Sequence, residues 1–350
     1  KSLSELFRSV RIMELLPLHR SDISSPDDSI NSEFLSSVEH AEVVPLAARP
    51  ITLDLLRRIF NRAGSLPADR VELYRRGCIA LVSEPDDLRR PSRHDGPDEQ
   101  LAHAGRMAAV SLLTGRPLFW NGPAVLQEPD TIAIEDCVVE NTEAHRIRVR
   151  AVLESALFTG AGANQLSWSH ATLADFLAAD WLCRASMDRT ALRAIFVSPG
   201  GNLYAALSGM AAWAFDIDRA QFEWLLEVDP VAFLTVLDTS GPELRSKVVN
   251  SLLQRVRLGT SIVRFEWDLS KLDYPGLRDV ISAALRESND DVVELALRIA
   301  RASPVPELET TLVDFACDDA SLTYHRQLAL LAIGADRLGP DQVDRLRGLA

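Results

Sequence analysis

Lysine is almost missing from this chain: it occurs only at Lys1, Lys247 and Lys271, and none follows a glycine. A phosphate-binding loop needs Gly-x-x-x-x-Gly-Lys-Ser/Thr, because backbone N–H groups and that lysine together cradle the phosphates. The chain has no such loop and is not expected to be an autonomous enzyme. His-Glu-x-x-His and Gly-x-Ser-x-Gly are also absent, and the seven histidines are scattered. No metal site or serine-hydrolase elbow is expected. The four cysteines, Cys78, Cys137, Cys183 and Cys317, are far apart and form no Cys-x-x-Cys. Each sits in an apolar run, which predicts reduced, buried thiols in a cytoplasmic protein. No apolar run nears the roughly 18 residues of a membrane span, and no signal peptide is evident. The net charge of −13 disfavours non-specific binding to nucleic acid or anionic membrane.

With aromatics at 6% and hydrophobic residues at 47%, Leu, Ala, Val and Ile must build the cores. That is helical composition, and 350 residues suggest two to four compact units. The predicted class is mostly α with at most a few short strands.

Residues 9–18 (SVRIMELLPL) read as a short strand too isolated to form a sheet alone. Together with an opening at Lys1 in mid-pattern, this suggests a piece of a longer protein. From Asp22 to Glu84 the pattern is helical. Phe34, Leu35 and Val38 share a face, as do Leu53, Leu56 and Phe60 behind Pro50, and Val71, Tyr74, Cys78 and Leu81. Pro50 suits a first helical position, where a missing N–H costs nothing. Residues 84–100 read as a charged, proline-rich loop. Helices are expected over 101–113, 146–158 and 171–183. Residues 115–143 read as irregular with a strand-like piece at 131–134, Gly160-Ala161-Gly162 as a turn, and 166–169 as a strand. This order, with its wing-like excursion, fits a winged helix. Beyond Ser186 short helices follow one another. Residues 292–300 resemble 325–333, at a spacing near that of helical-pair repeats.

Ile132-Ala-Ile-Glu-Asp136 has the outline of a strand ending in paired acids; without a phosphate-binding loop it reads as an exposed turn. The sharper motif is Leu166-Ser-Trp-Ser-His-Ala-Thr-Leu-Ala-Asp-Phe-Leu-Ala-Ala179, with His170 at a strand–helix junction. On periodicity alone that histidine reads as a surface or satisfied core residue. The stretch resembles the winged-helix motif of NACHT-type STAND ATPases, aromatic-x-His-x-x-x-x-Glu-Phe-Leu-Ala-Ala, with Asp175 in place of Glu and Leu173 where an aromatic is common. Three other stretches match that family in order: Glu14-Leu-Leu-Pro-Leu18 before Asp22, residues 44–53 (VPLAARPITL) and residues 66–74 (LPADRVELY).

The resemblance implies residues 1–20 as the terminal strand of a truncated nucleotide-binding domain and 21–95 as a helical domain. It implies 96–185 as a winged-helix-like domain and 186–350 as HEAT-like repeats. It makes the chain the regulatory and sensor half of a nucleotide-dependent switch, in signal transduction or bacterial antiviral defence. The cofactor, ADP or ATP, belongs to the full-length parent. Pro50 would pack on the adenine and His170 would reach the β-phosphate, with Asp175 facing away along the helix. Partners would be the upstream nucleotide domain, a protein ligand on the repeats, and further copies on activation. The alternative is a helical-repeat protein-binding scaffold that never contacts nucleotide. A DNA-binding regulator is disfavoured by the acidic balance and by an apolar second helix without basic residues until Arg184.

Overall fold

The computed structural model describes residues 29–40, 50–67, 69–82, 96–140, 142–234, 241–259, 269–303, 308–333 and 338–347, with Leu18 and Ala47. The strand expected at residues 9–18 falls outside this set except for Leu18, which is in no strand. The chain divides into two units, residues 1–89 and 90–350. Described residues are mostly helical, with one small four-stranded sheet.

The first unit holds α1 (Ser29–His40), α2 (Pro50–Ala63) and α3 (Arg70–Val82). Phe34, Leu35 and Val38 of α1 are buried, and Phe34 meets Phe60 of α2 edge to face at 5.5 Å. Helices α2 and α3 pack together through Leu55, Leu56, Leu73, Tyr74 and Cys78, all buried. Gly77 allows the approach: a Cβ there would lie 2.5 Å from the Leu55 side chain. Asp69 caps α3 by accepting from the Val71 and Glu72 amides, and Leu66 N–H donates to Ser37 Oγ at 3.1 Å.

The second unit begins with α4 (Pro97–Thr114), which starts at a helix-compatible proline inside the stretch expected to be loop. It ends at Gly115, whose φ of 69° suits glycine. Then come β1 (Leu118–Trp120), β2 (Thr131–Ile132), the single turn α5 (Ile134–Cys137) and α6 (Glu143–Leu153). A hairpin, β3 (Phe158–Gly162) and β4 (Gln165–Trp168), leads to α7 (Ala171–Arg184). The sheet order is β2-β1-β4-β3, with β1 parallel to β2 and the other pairs antiparallel. The chain order is thus a helix, two short strands, a single helical turn, a helix, a hairpin and a final helix.

Three expectations here need correction. Residues 115–143 are not merely irregular: β1 puts Phe119 and Trp120 into the core, and α5 follows β2 directly. The helix begun at Glu143 stops at Leu153, because Glu154 and Ser155 turn the chain and Ser155 Oγ donates to Val152 carbonyl at 2.6 Å. Gly160-Ala161-Gly162 lies in exposed strand β3, with a bulge; the reversal falls at Asn164, whose φ of 59° asparagine tolerates.

Helix α7 is the centre of the second unit. It packs on α4 and on α9 (Ser208–Ile217), and touches β4. A Cβ on Gly105 of α4 would come within 2.7 Å of Trp181 Cβ and 2.8 Å of Leu177 carbonyl oxygen. Phe176 meets Trp213 of α9 edge to face at 5.1 Å. Before α9 lies α8 (Arg189–Phe196), and after it come α10 (Arg219–Phe222) and α11 (Trp224–Val228). Then follow α12 (Pro242–Arg257), α13 (Leu277–Ala284), α14 (Asp290–Ala302), α15 (Glu309–Ala316), α16 (Thr323–Ala332) and α17 (Pro340–Arg347).

Helix α13 packs on α14, α15 on α16, and α14 on α16. The likeness of 292–300 to 325–333 carries into burial only in part: Val292, Leu295 and Ala296 match buried His325, Leu328 and Ala329, whereas fully buried Leu297 corresponds to Leu330, which is 42% exposed. Ion pairs tie successive layers at the surface: Arg219 to Glu243, Lys247 to Glu223, and Arg257 to Glu287 at 2.6 Å. Among the described residues after Ser186 the only β pairing is the isolated bridge Val197–Leu203.

Candidate functional site: the hairpin–helix junction

The backbone leaves β4 at Trp168, and Ser169 N–H donates to Leu157 carbonyl at 2.9 Å, fastening the junction to the end of the preceding segment. Trp168 is half-buried between Phe158, at a ring-centroid distance of 4.3 Å, and Phe119, at 5.8 Å. Its indole N–H and the Ser169 hydroxyl are shielded from solvent and have no hydrogen-bond partner.

His170 is the N-cap of α7. Its backbone is extended (φ −154°, ψ 139°), and its Nδ1 accepts from Thr172 N–H at 3.2 Å. The first amides of a helix have no intrahelical partner, so a side-chain acceptor there anchors the helix start. In the neutral ring an accepting Nδ1 places the proton on Nε2. The ring therefore caps with one edge and can donate with the other. Leu173, Phe176 and Leu177 bury the following turn.

Asp175 does not simply face away along α7. Its carboxyl lies against Gly209 in the first turn of α9, and burial pushes its pKa up to about 7. Pro50 is the first residue of α2, as its spacing suggested; its side chain is outside the described residues. Pro50 and His170 belong to different units. Glu135 and Asp136 are exposed, and Asp136 Oδ2 accepts from Ala133 N–H at 3.2 Å, a local cap on α5.

None of the four cysteines forms a disulfide. Cys78 and Cys137 are buried, whereas Cys183 and Cys317 are half-buried. Burial, with some repulsion from neighbouring acids, pushes Cys137 and Cys183 up to about 12, so neither is a thiolate nucleophile near neutral pH. Among the described residues no group of three or more His, Cys, Asp or Glu could hold a metal ion, and no helix is long and apolar enough to cross a membrane.

No protein-family model matches the sequence, and no curated protein matches it.

Proposed function

We propose that this chain is the regulatory and sensor half of a NACHT/STAND-type nucleotide-dependent switch, acting with an upstream nucleotide-binding domain. Four motif-like stretches in family order support the reading. The observation that carries it is His170, whose Nδ1 caps α7; in the neutral ring the proton then sits on the opposite edge, at Nε2. In the closed, ADP-bound parent that edge would donate to the β-phosphate, a charge-assisted bond that favours closed over open. The chain alone would turn over no ATP. The repeats beyond Ser186 would receive the triggering ligand, in signalling or antiviral defence.

The test separates capping from phosphate binding. In the full-length protein, His170→Asn keeps a side-chain oxygen able to cap α7 but removes the distal donor. Faster ADP release from this variant, by roughly tenfold to a hundredfold for one such bond, with unchanged thermal stability, is the expected result. Wild-type ADP retention in a folded His170→Asn protein leaves His170 a helix cap only and removes the switch reading's main support.

A further inference from the structure

The last helices stand in two rows. In one, α16 lies on α14. In the other, α17 lies on α15, where Gln342 Nε2 donates to Thr310 Oγ1 at 3.0 Å and Arg345 pairs with Asp314 at 2.7 Å. Among the described residues the first row stops at α16. Residues 292–300 correspond to 325–333, and the comparison shows what covers each face. On α14, Leu297 is fully buried. The Tyr324 hydroxyl of α16 donates to Glu294 Oε1 at 3.4 Å and accepts from Arg298 Nη2 at 3.2 Å. The residues of α16 that correspond to Glu294, Leu297 and Arg298 are Gln327, Leu330 and Leu331. All three are exposed, Leu330 by 42% and Leu331 by 59%. Helix α17 is open as well: it buries no residue, whereas α15 buries Leu312, Val313 and Ala316. The surface that α16 covers on α14 thus recurs, uncovered, on α16. A repeat that closes an array against water carries a polar outer face, and two adjacent leucines do not fit that role.

We propose that an amphipathic helix of a partner protein fills this place, lying on α16 as α16 lies on α14. Such a helix continues a packing already present in the chain, and an apolar helix face laid in a groove is a recurrent mode of recognition. Its chemistry follows from the change along the row. Where α14 offers a carboxylate and a guanidinium, α16 offers an amide and a leucine. The partner helix is therefore uncharged at the place of Tyr324 and carries a stripe like that of Leu328 and Ala329. A second copy of this chain cannot supply it in that register. The stripes of α14 and α16, Leu295 with Ala296 and Leu328 with Ala329, are already buried in their own array. The contact needs no nucleotide and does not depend on the switch reading.

The experiment is a fluorescence-anisotropy titration of the protein against a labelled peptide of residues 319–333, the sequence of α16. Circular dichroism confirms that each protein variant folds. The peptide should bind saturably at sub-millimolar concentration and gain helix on binding. L330D/L331D in the protein should weaken binding by about tenfold or more, and L328D in the peptide should abolish it. Q327E/L331R gives α16 the groups that α14 offers to Tyr324. It should bind the peptide several-fold tighter, and a Y324F peptide should lose that gain. Three results overturn the proposal: no saturable binding, binding indifferent to L330D/L331D, or no gain from Q327E/L331R. Reversible self-association through Leu330 and Leu331, read by sedimentation velocity, overturns it equally, because a second copy then fills the place.

Discussion

The carboxyl of Asp175 lies so close to Gly209 that a Cβ on the glycine would stand 2.3 Å from Oδ2. Helices α7 and α9 meet here with no side chain from α9 between them. Gly209→Ala should be destabilising, and Asp175→Ala should relieve part of the loss. Gly105→Ala should cost more, about 1–3 kcal/mol or above, because it collides with Leu177 carbonyl and Trp181 Cβ, neither at the end of a mobile side chain. Chemical denaturation of the single and double variants measures both.

Asp175 also predicts a pH dependence. Its folded-state pKa is raised, to about 7, from an ordinary value near 3.8. The folded state therefore holds a proton that the unfolded state has lost, so this group's contribution to stability is full below about pH 4. It declines as pH rises towards 7. Asp175→Asn removes the titration. The stability difference, variant minus wild type, should grow by several kcal/mol between those pH values, since each unit is about 1.4 kcal/mol, and then level off. A flat difference across that range refutes the assignment.

The cap on α7 has its own signature. His170→Ala removes the acceptor for Thr172 N–H and should cost about 0.5–2 kcal/mol. His170→Asn or His170→Asp should recover most of it. Thermal melts of the three variants decide.

Trp168 separates ring packing from its polar atom. The indole N–H has no partner, so Trp168→Phe surrenders no hydrogen bond while keeping contact with Phe119 and Phe158. It should change stability by less than about 1 kcal/mol, whereas Trp168→Ala should cost roughly 3 kcal/mol. Equal losses in the two variants would mean that the indole nitrogen is engaged.

Periodicity was sufficient wherever a helix buries one clear face. Phe34–Leu35–Val38 and Tyr74–Cys78–Leu81 are buried as their spacing indicates, whereas the likeness of 292–300 to 325–333 reappears in burial at three positions and fails at others, Leu297 against Leu330 among them. Short elements escaped for physical reasons. Strand β1 has only three residues between Pro117 and a proline-containing loop, and its evidence lies in pairing with distant Ser167 and Leu166. Gly160 and Gly162 look like turn residues, yet they sit on β3 at the edge of the sheet, where β4 alone supplies hydrogen bonds. The end of α6 carries no glycine or proline to mark it. At the junction the sequence singles out His170, but which nitrogen caps α7 depends on backbone angles that no motif encodes. The closeness of Asp175 to Gly209 joins residues on separate helices, and neither position signals the other.

The edge-to-face pair of Phe176 and Trp213 bears on how this chain can be divided. A fragment ending at Ala185 would keep α4, the sheet and α7, yet strip α9 from the other flank of α7. Phe176 would turn from a buried ring into a solvent-facing one beside an uncovered Asp175 carboxyl. Such a fragment would be sticky and oxygen-lined at once, and it would report poorly on the intact molecule.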